Sequence, residues 1–426
     1  MAAAGSAVGL GNIWKFPYIA GENGGGAFLI VYLICVLLFG MPLIMTEFLI
    51  GKRSGKGAYG AFRELNGNNR WQWLSWGYMM TALMIMGFYF VVTGWCFNYL
   101  AEAAVNRFAG MDMQALTDNF HNVVSNKPRM LGFCLLPLVL TSAVLLFEVN
   151  KGIERLCKIL MPLLLLLMML MAGRVLMLDG STEGLQFFFQ TDFSKITPKV
   201  VMEAMGQSFF SLSIGMGALI TYGAYMPKTQ NVAISSIQVV VLDTLVALLA
   251  GLIIFPAVFA FGFNPAEGPE LVFVVLPAIL GKMSFAWFSS VLFFSLLCIA
   301  ALTSTISLME VAVAFLREAS ANSKHPLSRG QSVLITAGIV ALLIVVCVFA
   351  GSVFDSFDKL TACVMMPLGA LGMSLFVGWF MPNQKNMIKG EVGTIKRWFK
   401  KIYIILLRFI VPTSILIIFL NNLGML

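Results

Sequence analysis

From residue 2 to residue 422 the chain is divided into eleven apolar stretches, near 2–20, 26–49, 76–103, 130–147, 156–178, 201–226, 232–262, 285–316, 332–350, 360–380 and 402–422. Each approaches or exceeds the roughly 20 residues that carry a helix across a hydrocarbon core of about 30 Å. In lipid every backbone N–H and C=O must be satisfied inside the protein, so stretches of this length can cross only as helices. Hydrophobic residues make up 59% of the 426 and charged ones 11%, with mean hydropathy +0.89. An all-α polytopic protein of the cell inner (plasma) membrane is expected.

The net charge of +8 does not mark a nucleic-acid binder, because the basic residues sit in short loops between stretches. Lys52, Arg53, Lys56, Arg63 and Arg70 follow the second, Lys151, Arg155 and Lys158 the fourth, and Lys385, Lys389, Lys396, Arg397, Lys400 and Lys401 the tenth. Cytoplasmic loops are the ones enriched in Lys and Arg, which puts the N-terminus in the cytoplasm and, after eleven spans, the C-terminus outside. The seven cysteines are scattered without paired spacing, so neither a disulfide framework nor a zinc site is expected. Met1 opens almost inside the first stretch, and the cytoplasmic flank of that helix is expected to be missing.

Residues 4–17, AGSAVGLGNIWKFP, place Gly5, Gly9, Gly11, Asn12 and Lys15 within the first span. Irregular backbone at that depth is tolerated where it lines a cavity or a binding site. A second interruption lies at 207–225, QSFFSLSIGMGALITYGAY, where Ser211, Ser213, Gly215 and Gly217 cluster at mid-span. Small residues also let helices pack closely, which is the plainer explanation of either cluster alone. Two interrupted spans five helices apart point instead to a transporter of two inverted five-helix repeats with its site at the midplane. The repeats are expected at 1–178 and 179–380, with a cytoplasmic basic loop and an extra C-terminal helix at 381–426.

Two further polar features lie inside spans. Thr303, Ser304 and Thr305 sit mid-helix, where a lone hydroxyl usually bonds its own helix's carbonyls. Asp243 lies in VVVLDTLVALLAG with no Lys or Arg in its own helix to pair with it. A bound cation, a protonated acid or a basic partner on another helix would each remove the burden of a buried charge.

GSAVGLGNIWKFPY followed by ENGGGAF, then PLIMTEFLIG, YFVVTGW at 89–95, GQSFFSLSIGMGALITY and ALTSTIS stand in this order along the whole chain. In these motifs the sequence resembles the neurotransmitter:sodium symporter family, in its bacterial amino-acid-transporting branch. The resemblance implies a ten-helix core with helices 1 and 6 unwound at mid-membrane, plus an eleventh helix. It implies two sodium ions and no organic cofactor. Ala7, Asn12, Ser211 and Asp243 would form sodium site one, and Gly5, Val8, Ala300, Thr303 and Ser304 sodium site two. An amino-acid carboxylate would meet the amides of Leu10 and Gly11 and the Tyr89 hydroxyl, completing sodium site one; its ammonium would meet carbonyls of Ala7, Phe210 and Ser211. Tyr89 alone would read as an interfacial or core aromatic. Glu47 is similar to a family carboxylate that supports the exposed amides at the breaks.

The family's monoamine carriers have an acidic residue where this chain has Gly9, so the resemblance implies a substrate that brings its own carboxylate. Its side chain would sit among Ile85, Tyr89, Phe210, Ser213, Met216, Ser304 and Leu308, an uncharged set that suits a hydrophobic, even aromatic, amino acid. Lys15 stands where the family usually has an arginine facing Asp358 across the outer gate; snorkelling to the interface is the plainer role. Glu318 and Tyr225 correspond to inner-gate residues whose partners fall in the flank expected to be missing. Asp243 is asparagine in many relatives, and Ala247 lacks the serine of chloride-dependent ones, which argues for chloride independence. The segment 264–282 resembles an extracellular hairpin over the vestibule; a helix resting on the membrane interface is the alternative.

The expected function is sodium-coupled import of a hydrophobic amino acid by alternating access. A proton-coupled amino-acid transporter using Asp243 and an amino-acid-sensing, non-transporting receptor are the alternatives. No nucleophile, base and oxyanion set suggests an enzyme. Small-molecule substrate and lipid are the expected partners.

Overall fold

The computed structural model describes residues 8–66, 70–147, 153–266, 271–282, 285–381 and 397–422. Among them the helices that matter for the site are α1 (Phe16–Glu22), α2 (Gly26–Ser54), α3 (Gln72–Ala104), α4 (Met113–Ser125), α5 (Lys127–Leu146), α6 (Ile153–Leu176), α7 (Ser181–Phe189), α8 (Pro198–Ser211), α9 (Ala218–Ala224) and α10 (Val232–Ala260). They are followed by α11 (Val275–Lys282), α12 (Ala286–Ser320), α13 (Arg329–Phe349), α14 (Gly351–Phe380) and α15 (397–422). Eight of these, among the described residues, are continuous, long and apolar enough to cross a membrane. The other three expected spans are the two interrupted segments and α15.

Local chemistry starts several of these helices where the sequence turns polar. The Asn126 side chain accepts the Arg129 N–H with Pro128 at the first turn of α5, and Asn231 Oδ1 accepts from Ala233 and Ile234 at the start of α10. Ser328 and Gln331 form a reciprocal capping box at α13. Burial then sorts the helices into a centre and a rim. The most apolar windows of α3 and α12 are 78% buried, against 33% for α5 and α6, so α3 and α12 pack together as the centre while α5 and α6 present side chains to lipid.

The second interruption is a six-residue turn between α8 and α9. Ser213 (φ +57°), Gly215 (φ +81°) and Gly217 (φ +77°) occupy left-handed backbone there. A Cβ on Gly215 would lie 2.2 Å from the Met366 carbonyl oxygen, so glycine is required both by backbone shape and by the close passage of α14. The first interruption is described from Val8 onward: residues 8–9 bend, a wide turn follows at Gly11–Lys15, and α1 continues from Phe16. Gly5 and Ala7 lie outside the described residues.

One expectation changes. The tenth span begins at Gly351 rather than near 360, because its first turns, GSVFDSFDKL, are amphipathic and too polar to register as a membrane stretch. Asp358 is therefore two turns inside α14. Of the two readings of the segment after α10, burial favours a cover over a helix resting on an interface. Leu271 to Leu280 is buried almost throughout, and Phe273 packs against Trp95, Tyr99 and Phe120 with ring centroids 5.2–6.0 Å apart, covering the last turns of α3.

Candidate functional site

The two interruptions face each other across α3 and α12 and enclose a small chamber. Gly9 and Gly11 come from the first; Phe210, Ser211, Ser213 and Met216 come from the second; Ile85 and Tyr89 from α3; Ser304 and Leu308 from α12; and Met366 from α14. Of the described residues expected to hold substrate, all but Leu10 line this chamber, and Leu10 reaches it through its amide, which donates to the Tyr89 hydroxyl at 3.0 Å. Met366 was not expected. It comes from a helix whose sequence carries no polar mark at that depth, so only packing reveals it.

The chamber is small, enclosing about 20 Å³, room for about one water-sized body. Its floor and walls leave no space at Gly9: a Cβ there would lie 1.9 Å from Ser304 Oγ and 3.0 Å from the Tyr89 hydroxyl. An acidic side chain at this position is sterically excluded while Ser304 faces it. No charged side chain lines the chamber.

Directly beside the chamber, Asn12, Asp243 and Ser211 come together as expected, and Tyr32 of α2 joins them. Asn12 Nδ2 donates to Asp243 Oδ1 (2.7 Å) and to the Asp243 carbonyl (3.0 Å), and the Ser211 and Tyr32 hydroxyls each donate to Asp243 Oδ2 at 3.2 Å. Asn12 Oδ1 accepts the Gly9 N–H at 3.2 Å. Asp243 is fully buried, and its hydrogen-bond partners are neutral throughout, so no basic side chain among the described residues balances it. An uncompensated buried carboxylate is strongly disfavoured. The donor set of carboxylate, amide and hydroxyl oxygens suits a hard cation such as sodium. Tyr32 could have been found as the one hydroxyl in AFLIVYLIC.

Of the other expected ion set, Val8, Ala300 and Thr303 come together. Thr303 Oγ1 donates to the Ala300 carbonyl (2.9 Å) and faces the Val8 carbonyl (3.4 Å), joining α12 to the first interruption. Thr305 and Ser307 donate to the Leu302 and Ser304 carbonyls of α12 itself, and the Thr305 hydroxyl also meets Thr141 of α5 at 3.0 Å. Ser304 turns toward Tyr89 instead.

The residues expected at the two gates are paired. Lys15 Nζ lies 2.5 Å from Asp358 Oδ1 and 4.4 Å above the Phe210 ring, so this lysine is buried and paired and does not snorkel. Glu318 and Tyr225, the other two expected gate residues, bond different partners. Glu318 accepts the amides of Gly57 and Gly60 at 2.5 and 3.0 Å, while the Tyr225 hydroxyl donates to Glu310 Oε1 at 2.8 Å. Glu310, fully buried in α12, takes a two-pronged bond from Arg329 at 3.1 and 2.7 Å, and Arg329 Nε reaches the carbonyls of Leu145 and Phe147. Sequence reasoning missed this pair, although a glutamate inside SLMEVAVAF was a signal by itself. Glu47 supports the second interruption: it accepts the Gly215 N–H at 2.8 Å and faces the amides of Leu219 and Ile220 at the start of α9.

Comparison with known proteins places this arrangement. The chain matches the Sodium:neurotransmitter symporter family over residues 1–126 and 104–425. It is similar to an uncharacterized sodium-dependent transporter, YhdH, of Bacillus subtilis, at 38% identity over 433 residues, covering 100% of this chain and 96% of that protein. An uncharacterized sodium-dependent transporter of Haemophilus influenzae is 35% identical over 451 residues, covering 99% and 96%. A crystal structure of MhsT in complex with L-phenylalanine superposes with a TM-score of 0.92 at 39% identity, covering 99% of this chain and 97% of that one. The chain is a multi-pass membrane transporter and belongs to the sodium:neurotransmitter symporter family.

Proposed function

We propose that this symporter carries a hydrophobic amino acid, aromatic ones included, inward together with two sodium ions, by alternating access and without chloride. The observation that carries this reading is shared residues: Ser211 both lines the chamber and bonds Asp243, and Ser304 both lines the chamber and adjoins Thr303. A substrate and either ion would therefore order the same backbone. MhsT, similar over nearly the whole chain, holds L-phenylalanine, and the uncharged lining here suits the same class.

In this reading sodium site one is Ala7, Asn12, Ser211 and Asp243, and site two is Gly5, Val8, Ala300, Thr303 and Ser304. The substrate carboxylate takes the Leu10 and Gly11 amides with the Tyr89 hydroxyl, displacing the present Leu10 to Tyr89 bond. The side chain is received by Ile85, Phe210, Ser213, Met216 and Leu308, which must part, since about 20 Å³ cannot hold an aromatic ring. Asp243 supplies the fixed negative charge that makes chloride unnecessary. Lys15 and Asp358 close the outer side; Tyr225 and Glu318 belong to the inner closure, with Glu310 and Arg329. The basic loops support a cytoplasmic N-terminus and an external C-terminus.

The test is binding of labelled phenylalanine to the purified protein, with sodium or choline and with competitors of graded size. Binding that needs sodium and is displaced by leucine-sized and tryptophan-sized amino acids but not by aspartate or lysine is expected. Sodium-independent binding, or equal displacement by charged amino acids, would overturn the reading.

A further inference from the structure

A second cavity, of about 220 Å³, lies between α3 and the ends of α4, α5, α13 and α14. It does not share a residue with the chamber. Its interior is apolar, with Trp95, Met130, Cys347, Val348 and Phe354 on its walls. Two opposite charges also line it: Lys127 at the first residue of α5 and the exposed Asp355 in the opening turns of α14. The two are not paired with each other, and neither is engaged in an ion pair among the described residues. Lys127 gives one hydrogen bond, to the Val124 carbonyl at 3.1 Å, which leaves two of its three ammonium donors uncommitted.

The neighbouring surface says which phase supplies the occupant. Along α5, Leu136, Val139 and Leu140 are exposed by 40–63%, and along α13, Leu342, Val346 and Phe349 by 38–64%. These faces belong in lipid, and they lead up to the helix ends that frame the cavity. At that level a bilayer changes from acyl chains to head groups. A lone anionic amphiphile would be attracted by Lys127 and repelled by Asp355; a lone cation would meet the reverse.

We infer that this cavity is a binding site for a zwitterionic aminophospholipid, whose phosphate meets Lys127, whose primary ammonium meets Asp355, and whose acyl segment fills the apolar interior. The volume holds about seven water-sized groups, enough for part of one chain. The occupant would touch the outer gate through one layer of rings. Phe354 packs on Trp95 and Phe88 at centroid distances of 5.6 and 5.9 Å, Phe88 lies 6.5 Å from Phe210, and Asp358 follows Phe354 by one helical turn. A bound lipid therefore braces the turn of α14 that carries the Lys15 partner.

The test uses Cys347, which lines the cavity and is 3% exposed, as a reporter in the full chain with the other six cysteines replaced by serine or alanine. Its reaction with N-ethylmaleimide is timed in nanodiscs of phosphatidylglycerol alone and with added phosphatidylethanolamine. Phosphatidylethanolamine should slow labelling about tenfold, the protection given by a ligand at about ten times its dissociation constant. Lys127→Gln and Asp355→Asn should each remove most of that protection. Because cysteine replacement can harm folding, native mass spectrometry of the unmodified chain supplies the second measurement: it should retain phosphatidylethanolamine over phosphatidylglycerol, and the double variant should not. Equal labelling in both membranes together with no lipid preference overturns the assignment. So does protection of Cys347 by free phenylalanine in phosphatidylglycerol alone, which would make the cavity an amino-acid site.

Discussion

Lys15 Nζ lies 2.5 Å from Asp358 Oδ1, and the same ammonium sits 4.4 Å above the ring of Phe210. One cation thus ties the first interruption to α14 and rests on a residue that walls the chamber. Lys15→Gln should release this latch, lowering apparent affinity for substrate about tenfold, or about 1.4 kcal/mol. A cysteine at position 213 should become more reactive to an impermeant reagent from outside. Lys15→Arg should keep closure, because a guanidinium can bond Asp358 and stack on Phe210. Unchanged accessibility in Lys15→Gln would remove the latch from the mechanism.

Asp243→Asn keeps an oxygen ligand and the bonds from Tyr32 and Ser211 but removes the buried charge. Sodium dependence should shift to at least about tenfold higher concentration, since a full charge next to an ion in a dry site is worth more than one such step. Added chloride should restore part of the loss. Sodium titrations of binding, with chloride or gluconate as the anion, measure both effects. Identical curves for the variant and the natural chain would show that Asp243 does not face the ion.

Gly9→Ala places a Cβ 1.9 Å from Ser304 Oγ. Either Ser304 turns away from Tyr89 or the first interruption shifts, and displacements near 1 Å in a binding constellation carry effects of about a hundredfold. Substrate binding should fall by about that much while the protein still purifies as a folded monodisperse species. Normal binding in Gly9→Ala would mean that the interruption is more yielding than its packing indicates.

Met216→Phe replaces a side chain with three rotatable bonds by a stiff ring in a chamber that must expand to work. Competition profiles should move away from aromatic amino acids toward smaller aliphatic ones. A profile identical to that of the natural chain would place Met216 outside the path of the substrate side chain.

The parts of this fold that were legible in sequence are those where chemistry contradicts the lipid. Gly9 and Gly11 beside Asn12, and Ser213, Gly215 and Gly217 in a second span, are conspicuous because an apolar helix has no use for them. Asp243 is conspicuous for the same reason, and Glu310 should have been. Met366 and the partnership of Arg329 with Glu310 were not legible, because they are contacts between helices distant in sequence, and an apolar residue in an apolar span carries no mark of what it faces. The start of α14 was missed because hydropathy reads Asp355, Asp358 and Lys359 as loop residues, whereas in the fold they are helical.

The most direct measurement is uptake of labelled phenylalanine into sealed proteoliposomes under an inward sodium gradient, compared with choline across a pH series. Accumulation above equilibrium that requires the sodium gradient, is unchanged when chloride is replaced by gluconate, and is not driven by an inward proton gradient in choline is the expected result. Accumulation driven by protons without sodium would contradict sodium coupling and assign Asp243 to proton transfer, and sodium-dependent binding with no accumulation would make the protein a receptor.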